Sequence, residues 1–192
     1  MNMSLNVLIA EDETLTSMGL KSILEGLGHK VVGTATFGEQ AVRLTETLHP
    51  DLVLMDIRLS GLDGIAAAHK IQQSWPTPVI IISGFSSVTL AQQASEAGVI
   101  AYLVKPVTQM ELEPAITVAI SRYQDITELR KSVTEARADL KNRKTIERAK
   151  AALMKEKSMD DEQAMRYMQT KSRNTRKAMI LIAEEILQEK SH

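Results

Sequence analysis

The front half of this chain repeats one unit five times, and that repetition leaves few folds open. Each unit is a short apolar run, a turn, and a stretch with apolar residues at helical spacing. The runs are Asn6–Ala10, Lys30–Ala35, Leu52–Asp56, Val79–Ser83 and Ala101–Val104. They are too short for helices and rich in Val, Ile and Leu, as buried strands are. Between them, residues 14–27, 38–48, 64–73 and 86–97 carry apolar side chains with a period near 3.6; Leu15, Met18, Leu20, Ile23, Leu24 and Leu27 illustrate it. Gly28, the Gly61-Leu62-Asp63-Gly64 loop and Gly98 mark turns. Strands alternating with helices predict a five-stranded, doubly wound parallel α/β sheet. Pro106 closes the fifth unit, and a last helix is expected from about Thr108.

The ends of these runs carry chemistry. Glu11 and Asp12 follow the first, Asp56 ends the third, Ser83 ends the fourth, and Lys105-Pro106 follow the fifth. In an open parallel sheet all of them reach the carboxyl edge, where sites form. A lone acid at a strand end is commonly a solvated cap, and Lys-Pro is common in loops. Five such groups on the right strands point to a metal-assisted phosphate site instead. Three neighbouring carboxylates repel unless a cation bridges them, and oxygen-only ligands suit a hard ion such as Mg²⁺ or Mn²⁺. Asp56 is the natural nucleophile, because a carboxylate can form an acyl phosphate. Lys105 supplies a positive charge for phosphoryl oxygens, and Ser83 supplies a hydroxyl.

Behind this half the charge changes sign. From Lys141 onward there are 13 Lys and Arg against 8 Asp and Glu, while the residues before it hold 10 against 16. A basic tail behind an acidic front predicts two domains with different partners, the tail facing a polyanion. The chain contains no cysteine, which excludes disulfides and thiolate metal sites and fits a reducing cytoplasm. Its N-terminus lacks a basic n-region and leads directly into a strand, so no signal peptide is expected. No stretch approaches the roughly 20 apolar residues of a membrane span.

From Met110 to about Met154 there is no glycine, and Pro114 falls in the first turns. Ile126, Leu129, Val133, Ala136 and Leu140 repeat at spacings of 3, 4, 3 and 4 with charges between. Such a strip either lies on the chain's own domain or forms an a/d seam with a second copy; the second copy is the favoured reading. After it, residues 142–156 form a long helical pattern. A new helix is expected from Ser158 as N-cap, with Asp161 three residues on, running to about Lys171. Ser172-Arg173-Asn174-Thr175 reads as a polar turn before a third helix through Ala178, Met179, Ile182, Ala183, Ile186 and Leu187. These make a small, Met-rich three-helix bundle.

Residues 5–122 resemble a response-regulator receiver domain of two-component signalling, which implies a flavodoxin-like fold. The resemblance rests on Glu11-Asp12, on Asp56 within Leu54-Met55-Asp56-Ile57-Arg58-Leu59, on Ser60-Gly61-Leu62-Asp63-Gly64, on Ser83, on Tyr102 and on Lys105-Pro106. It implies that Asp56 accepts a phosphoryl group from a histidine kinase. It implies Mg²⁺ held by Asp12, Asp56 and the Arg58 carbonyl, with Glu11 acting through water. It further implies a switch in which Ser83 moves to the phosphate and Tyr102 turns inward, and a cis peptide before Pro106. Glu11 stands where the family more often has Asp, Ser60 where Pro is usual, and Gly84 where Ala is common; none removes a catalytic group. No enzyme activity is implied beyond the domain's own phosphoryl transfer and dephosphorylation.

The tail, as residues 132–192 overlapping a coiled-coil linker at 123–140, resembles an ANTAR domain. Arg143-Lys144-Thr145-Ile146-Glu147-Arg148-Ala149-Lys150 is the most specific string; Ser158–Ala164, Ser172–Lys177 and Ile182–Leu187 carry the rest. Ala151 and the glycine-free spacer at 155–158 are mild departures. The family implies binding of paired stem-loops in nascent leader RNA and transcription antitermination. From the clustering of its charge, the residues of the tail expected to meet RNA are Arg143, Lys144, Arg148, Lys150, Arg173, Arg176 and Lys177, together with the polar Asn174. A DNA-binding regulator with the same switch is the alternative, and a protein-binding adaptor is a third. The tail has no glycine for a tight helix-turn-helix, which counts against DNA. Phosphorylation is expected to favour a homodimer.

Overall fold

The computed structural model describes residues 4–84 and 87–188. All five expected strands form with the expected limits: β1 (Asn6–Ala10), β2 (Lys30–Ala35), β3 (Leu52–Asp56), β4 (Val79–Ser83) and β5 (Ala101–Val104). They pair in parallel in the order β2-β1-β3-β4-β5. This is the flavodoxin-like order, with its switch point between β1 and β3. The intervening helices are α1 (Thr14–Gly26), α2 (Gly38–Leu48), α3 (Gly64–Ser74) and α4 (Val88–Glu96). The expected start of α4 at Ser86 lies outside the described residues.

Strand alternation sorts the apolar residues onto two faces. Leu8, Ala10, Val53, Met55, Val79 and Ile81 pack on one side with Ala41 of α2, Ala67, Ala68 and Ile71 of α3 and Ala94 of α4. Val7, Ile9, Leu52, Leu54, Ile80 and Ile82 pack on the other with Leu20 and Leu24 of α1 and with Leu112, Ile116 and Ala119 of the next helix. Because β3 and β4 are buried along their whole length, they read as continuous apolar runs.

That next helix, α5 (Gln109–Lys157), is continuous for 49 residues, so the pattern at 142–156 is its final turns and not a separate helix. The chain divides into two compact units after Ile126. In the second, α5 packs with α6 (Asp161–Thr175) and α7 (Met179–Gln188) around Ala149, Leu153, Ala164, Met168, Ile182, Ala183 and Ile186.

Two expectations for the tail are corrected. Ser158 does not cap α6: it sits in the left-handed region at φ 50. Asp160 caps it, accepting from Gln163 N–H at 2.8 Å, while the Gln163 side chain accepts from Asp160 N–H at 3.1 Å. Asp160 lies three residues before an amide that can reach back, whereas Asp161 could not complete that reciprocal pair. Ser172–Thr175 is helix and not turn. Thr175 Oγ1 donates to the Lys171 carbonyl at 2.7 Å, so the polar residues are accommodated within the helix, and the chain turns only at Arg176, φ 55. Residues 189–192, the end of the expected ANTAR segment, lie outside the described residues. Among the described residues, no helix is long and apolar enough to cross a membrane.

Candidate functional site

The carboxyl edge of the sheet gathers the groups that strand ends promised. Residues after β1 bring Glu11 and Asp12, β3 ends on Asp56, and the residue after β5 is Lys105. Ligating oxygens of Glu11, Asp12 and Asp56 all lie within 4.8 Å of one another. Lys105 Nζ lies 2.6 Å from both Glu11 Oε2 and Asp56 Oδ2. Glu11 and Asp56 are buried, Lys105 is half-buried, and Asp12 is exposed, so the cluster opens to solvent on the Asp12 side.

Electrostatics follow from that burial. Burial raises the Glu11 carboxyl above its ordinary range, with the Asp56 charge adding to the rise and the bond to Lys105 opposing it. Burial pulls the Lys105 ammonium down, but its bonds to Asp56 and Glu11 outweigh this and leave it raised. The lysine thus acts as the cation that the acids require. The donor set is oxygen-only, anionic and partly open, which fits a hard divalent ion.

The loop after β3 is built to hold Asp56 in place. Arg58 N–H donates to Asp56 Oδ1 at 3.1 Å, which sets the backbone of Arg58 beside the carboxylate. Asp63 caps α3 by accepting from Ala66 N–H at 2.9 Å. Glu39 Oε2 accepts from Leu62 N–H at 3.2 Å. The residue that sequence reasoning undervalued is Gly64. A Cβ there would stand 2.0 Å from the Asp56 carbonyl oxygen, so it is a close-approach glycine and not only a turn marker. Its place as the first residue of a helical pattern, eight positions after Asp56, was the available signal.

Ser83 is buried at the end of β4, and Tyr102 on β5 is half-buried against the α2–α4 side of the sheet. The Lys105–Pro106 peptide is cis. Each expected front-half residue therefore lies at or next to this edge.

In the second unit the expected basic residues separate into two groups. Arg143, Lys144, Arg148, Arg173, Asn174 and Arg176 are exposed. Lys150 is instead drawn into the bundle, 2.9 Å from Glu147 and 2.8 Å from Asp161. Lys177 is exposed and bonds Glu185 Oε1 at 2.5 Å. Of the seam residues, Ile126, Leu129, Val133 and Leu140 are 42%, 65%, 43% and 59% exposed, and Ala136 is exposed with them.

The chain matches two family models: the response regulator receiver domain over residues 7–117 and the ANTAR domain over residues 134–187. It is 40% identical to the transcriptional regulatory protein PdtaR of Mycobacterium tuberculosis over 182 residues, 95% of this chain and 89% of that protein. The signal receiver domain of a modulated diguanylate cyclase from Desulfovibrio desulfuricans superposes with a TM-score of 0.60 at 36% identity, over 64% of this chain and 98% of that one. A Borrelia burgdorferi structure, a CheX–CheY complex with BeF₃ and Mg²⁺, is similar at TM-score 0.56 and 28% identity, over 58% of this chain and 85% of that one. The chain belongs to the response regulators that join a receiver domain to a C-terminal ANTAR domain.

Proposed function

We propose that this protein is a phosphorylation-controlled RNA-binding antiterminator. Residues 5–122 are its receiver, 123–140 its coiled-coil linker, and 132–192 its RNA-binding part. The observation that carries the reading is the Asp56 carboxylate, buried and bonded to Lys105 beside two further acids, in a chain that continues into an ANTAR domain.

Asp56 is the phosphoacceptor. One of its carboxylate oxygens attacks the phosphorus of a phosphohistidine on a sensor kinase; the O–P bond forms as the N–P bond breaks, leaving an acyl phosphate and a free imidazole. Glu11, Asp12, Asp56 and the Arg58 carbonyl would hold Mg²⁺ or Mn²⁺, which supplies charge neutralisation for the incoming phosphoryl group. Lys105, already at Asp56, pairs with a phosphoryl oxygen once that carboxylate is modified. Ser83 and Tyr102 form the switch, the hydroxyl following the phosphate and the ring following the space it leaves. Two copies then pair along Ile126, Leu129, Val133, Ala136 and Leu140. Arg143, Lys144, Arg148, Arg173, Asn174, Arg176 and Lys177 face leader-RNA stem-loops, whose phosphates supply the charge and whose loops supply the sequence. The setting is the cytoplasm.

The test is retention of total cellular RNA and DNA by the purified protein, with and without Mg²⁺ and beryllofluoride, and by Asp56→Asn. Leader RNAs with tandem stem-loops enriched by beryllofluoride, and no such enrichment for the variant, are expected. Enrichment of duplex DNA, or of nothing, would overturn the RNA assignment.

A further inference from the structure

The loop between β3 and α3, residues 57–63, is held at two places. Next to the strand it closes on itself. The N–H groups of Leu59 and Gly64 both donate to the Ile57 carbonyl, at 3.0 and 2.9 Å, and Arg58 N–H donates to Asp56 Oδ1. These bonds fix where the loop leaves β3 and where it enters α3. Its outer part, residues 60–62, is held from another crossover, the first turn of α2. Three consecutive residues there meet three consecutive residues of the loop. Phe37 forms an isolated parallel bridge with Ser60. Gly38 passes so close to Leu62 that a Cβ would stand 2.0 Å from its carbonyl oxygen. Glu39 Oε2 accepts from Leu62 N–H at 3.2 Å. It also fills the space that a side chain at Gly61, φ 74, would need, 2.8 Å from the Cβ position.

A carboxylate suits this place. Hydrogen bonds to an ionised acceptor are stronger than neutral ones, and an acid is favoured in the first turn of a helix. The N–H of Glu39 itself and that of Leu62 hold the Glu39 carboxyl below its ordinary range. The turn that carries Glu39 is fixed without the loop's help. Gln40 Oε1 accepts from Thr36 N–H at 2.9 Å, and Ala41 is fully buried in the core. Glu39 therefore reaches the loop from a rigid element, which is how a site is held to a precise geometry. Glu39 is not one of the three clustered acids. Arg58 lies between the two anchors, and its carbonyl is the one backbone oxygen among the groups assigned to the metal.

Resting on that assignment, we infer that Glu39 is a positioning residue: through Leu62 it holds the loop in the arrangement that presents the Arg58 carbonyl to a divalent ion, and it is not itself a ligand. The Glu39–Leu62 bond and metal binding are then linked, each strengthening the other.

The test titrates full-length native protein, Glu39→Ala, Glu39→Gln, Asp51→Ala and Asp56→Asn with Mg²⁺ by calorimetry. Phosphorylation by phosphoramidate is followed over the same Mg²⁺ range, and exchange of the Leu62 amide is followed by NMR. Asp51 is the control, because its carboxylate also accepts from a backbone N–H, that of Asn6 at 2.7 Å, at the opposite edge of the sheet. Glu39→Ala is expected to weaken Mg²⁺ binding severalfold and to shift the Mg²⁺ midpoint of phosphorylation equally, with the rate at saturating Mg²⁺ close to native. Glu39→Gln keeps an acceptor oxygen without the charge and is expected to recover most of the affinity, while Asp51→Ala matches the native protein. The Leu62 amide is expected to exchange faster in metal-free Glu39→Ala than in metal-free native protein, and Mg²⁺ is expected to slow it in the native protein. Equal Mg²⁺ affinity in native and Glu39→Ala, a lowered plateau with an unmoved midpoint, an equal loss in Asp51→Ala, or Leu62 exchange indifferent to Mg²⁺ overturns the inference while the metal assignment stands. Glu39→Gln as weak as Glu39→Ala also overturns it, since charge and not the bond would then be at work. No Mg²⁺ binding by the native protein, or binding undiminished in Asp56→Asn, removes both.

Discussion

Replacing Lys105 by methionine isolates what holds the acidic edge together. The ammonium bridges Glu11 and Asp56 at 2.6 Å each, and the side chains of those acids are 1% and 9% exposed. Methionine keeps an apolar stem and removes the charge, leaving two nearly buried carboxylates facing each other. Deleting one partner of a buried pair costs about 3–5 kcal/mol. Lys105 is itself 20% exposed, so water reaches the site, and the lower end, about 3 kcal/mol, is expected for metal-free protein at neutral pH. A ligand at 100 times its Kd adds about 2.7 kcal/mol to either protein, so the deficit narrows only as far as the variant binds Mg²⁺ more tightly; with no lysine between its acids it is expected to do so and to gain more from Mg²⁺ than the native protein.

The deficit also depends on pH with a definite sign. Burial already raises the Glu11 carboxyl, and the bond to Lys105 opposes that rise; in Lys105→Met it climbs further. A carboxyl whose folded pKa lies above its unfolded value destabilises the fold above the folded pKa. The penalty fades as pH falls through the folded pKa toward the unfolded one, so the variant's deficit shrinks on acidification. Urea unfolding followed by Trp75, the chain's one tryptophan, whose ring lies tilted against His49 with centroids 4.1 Å apart, reports on the first unit. Native and variant proteins would be compared in EDTA and in Mg²⁺, at neutral and mildly acidic pH. Equal stability in EDTA, or equal gains from Mg²⁺, would refute the view that Lys105 stands in for a cation.

Three further outcomes follow from local geometry. Gly64→Ala places a Cβ 2.0 Å from the Asp56 carbonyl and is expected to weaken both stability and beryllofluoride binding. Gly19→Ala, with nothing within 4 Å, is expected to add up to about 1 kcal/mol; equal urea midpoints for the two would count against the close-approach argument. Asp160→Ala removes the capping box of α6 and is expected to cost the second unit about 1 kcal/mol in thermal unfolding followed by circular dichroism, with Ser158→Ala near neutral. Lys150→Met is expected to loosen the α5–α6 junction, seen as faster amide exchange at the start of α6, while the salt dependence of RNA binding stays unchanged. A shallower salt slope would return Lys150 to the RNA face.

The front half was legible because a parallel sheet converts position in sequence into position in space. Once a run is known to be a strand, its last residue is known to reach the carboxyl edge, so Glu11, Asp12, Asp56, Ser83 and Lys105 could be brought together without any contact being visible. Burial made the limits sharp, since β3 and β4 are buried throughout, apolar up to their last residue, and end on the first polar group, Asp56 and Ser83. What the strand pattern could not show was how Lys105 divides itself between two acids, because that depends on side-chain rotamers, or that Gly64 must pass within contact distance of the Asp56 backbone.

The tail follows a different rule. A helix pattern tells which face is buried but not which neighbour lies beyond it, so a cation there declares its charge and not its partner. Lys150 sits in the most specific string of the tail, between Ala149 and Ala151, and by composition is equivalent to Arg148. One residue of rotation, about 100°, separates Ala149 in the core from each of them. Arg148 turns outward, whereas Lys150 turns toward the N-terminus of α6 and meets Asp161, where an acid already suits the helix dipole. The same three-dimensional fact decides the capping residue, because Asp160 rather than Ser158 is placed to bond Gln163. Counting basic residues therefore overstates the tail's free positive charge: Lys150 is held by Asp161 and Lys177 by Glu185, while Arg143, Lys144, Arg148, Arg173 and Arg176 stay exposed.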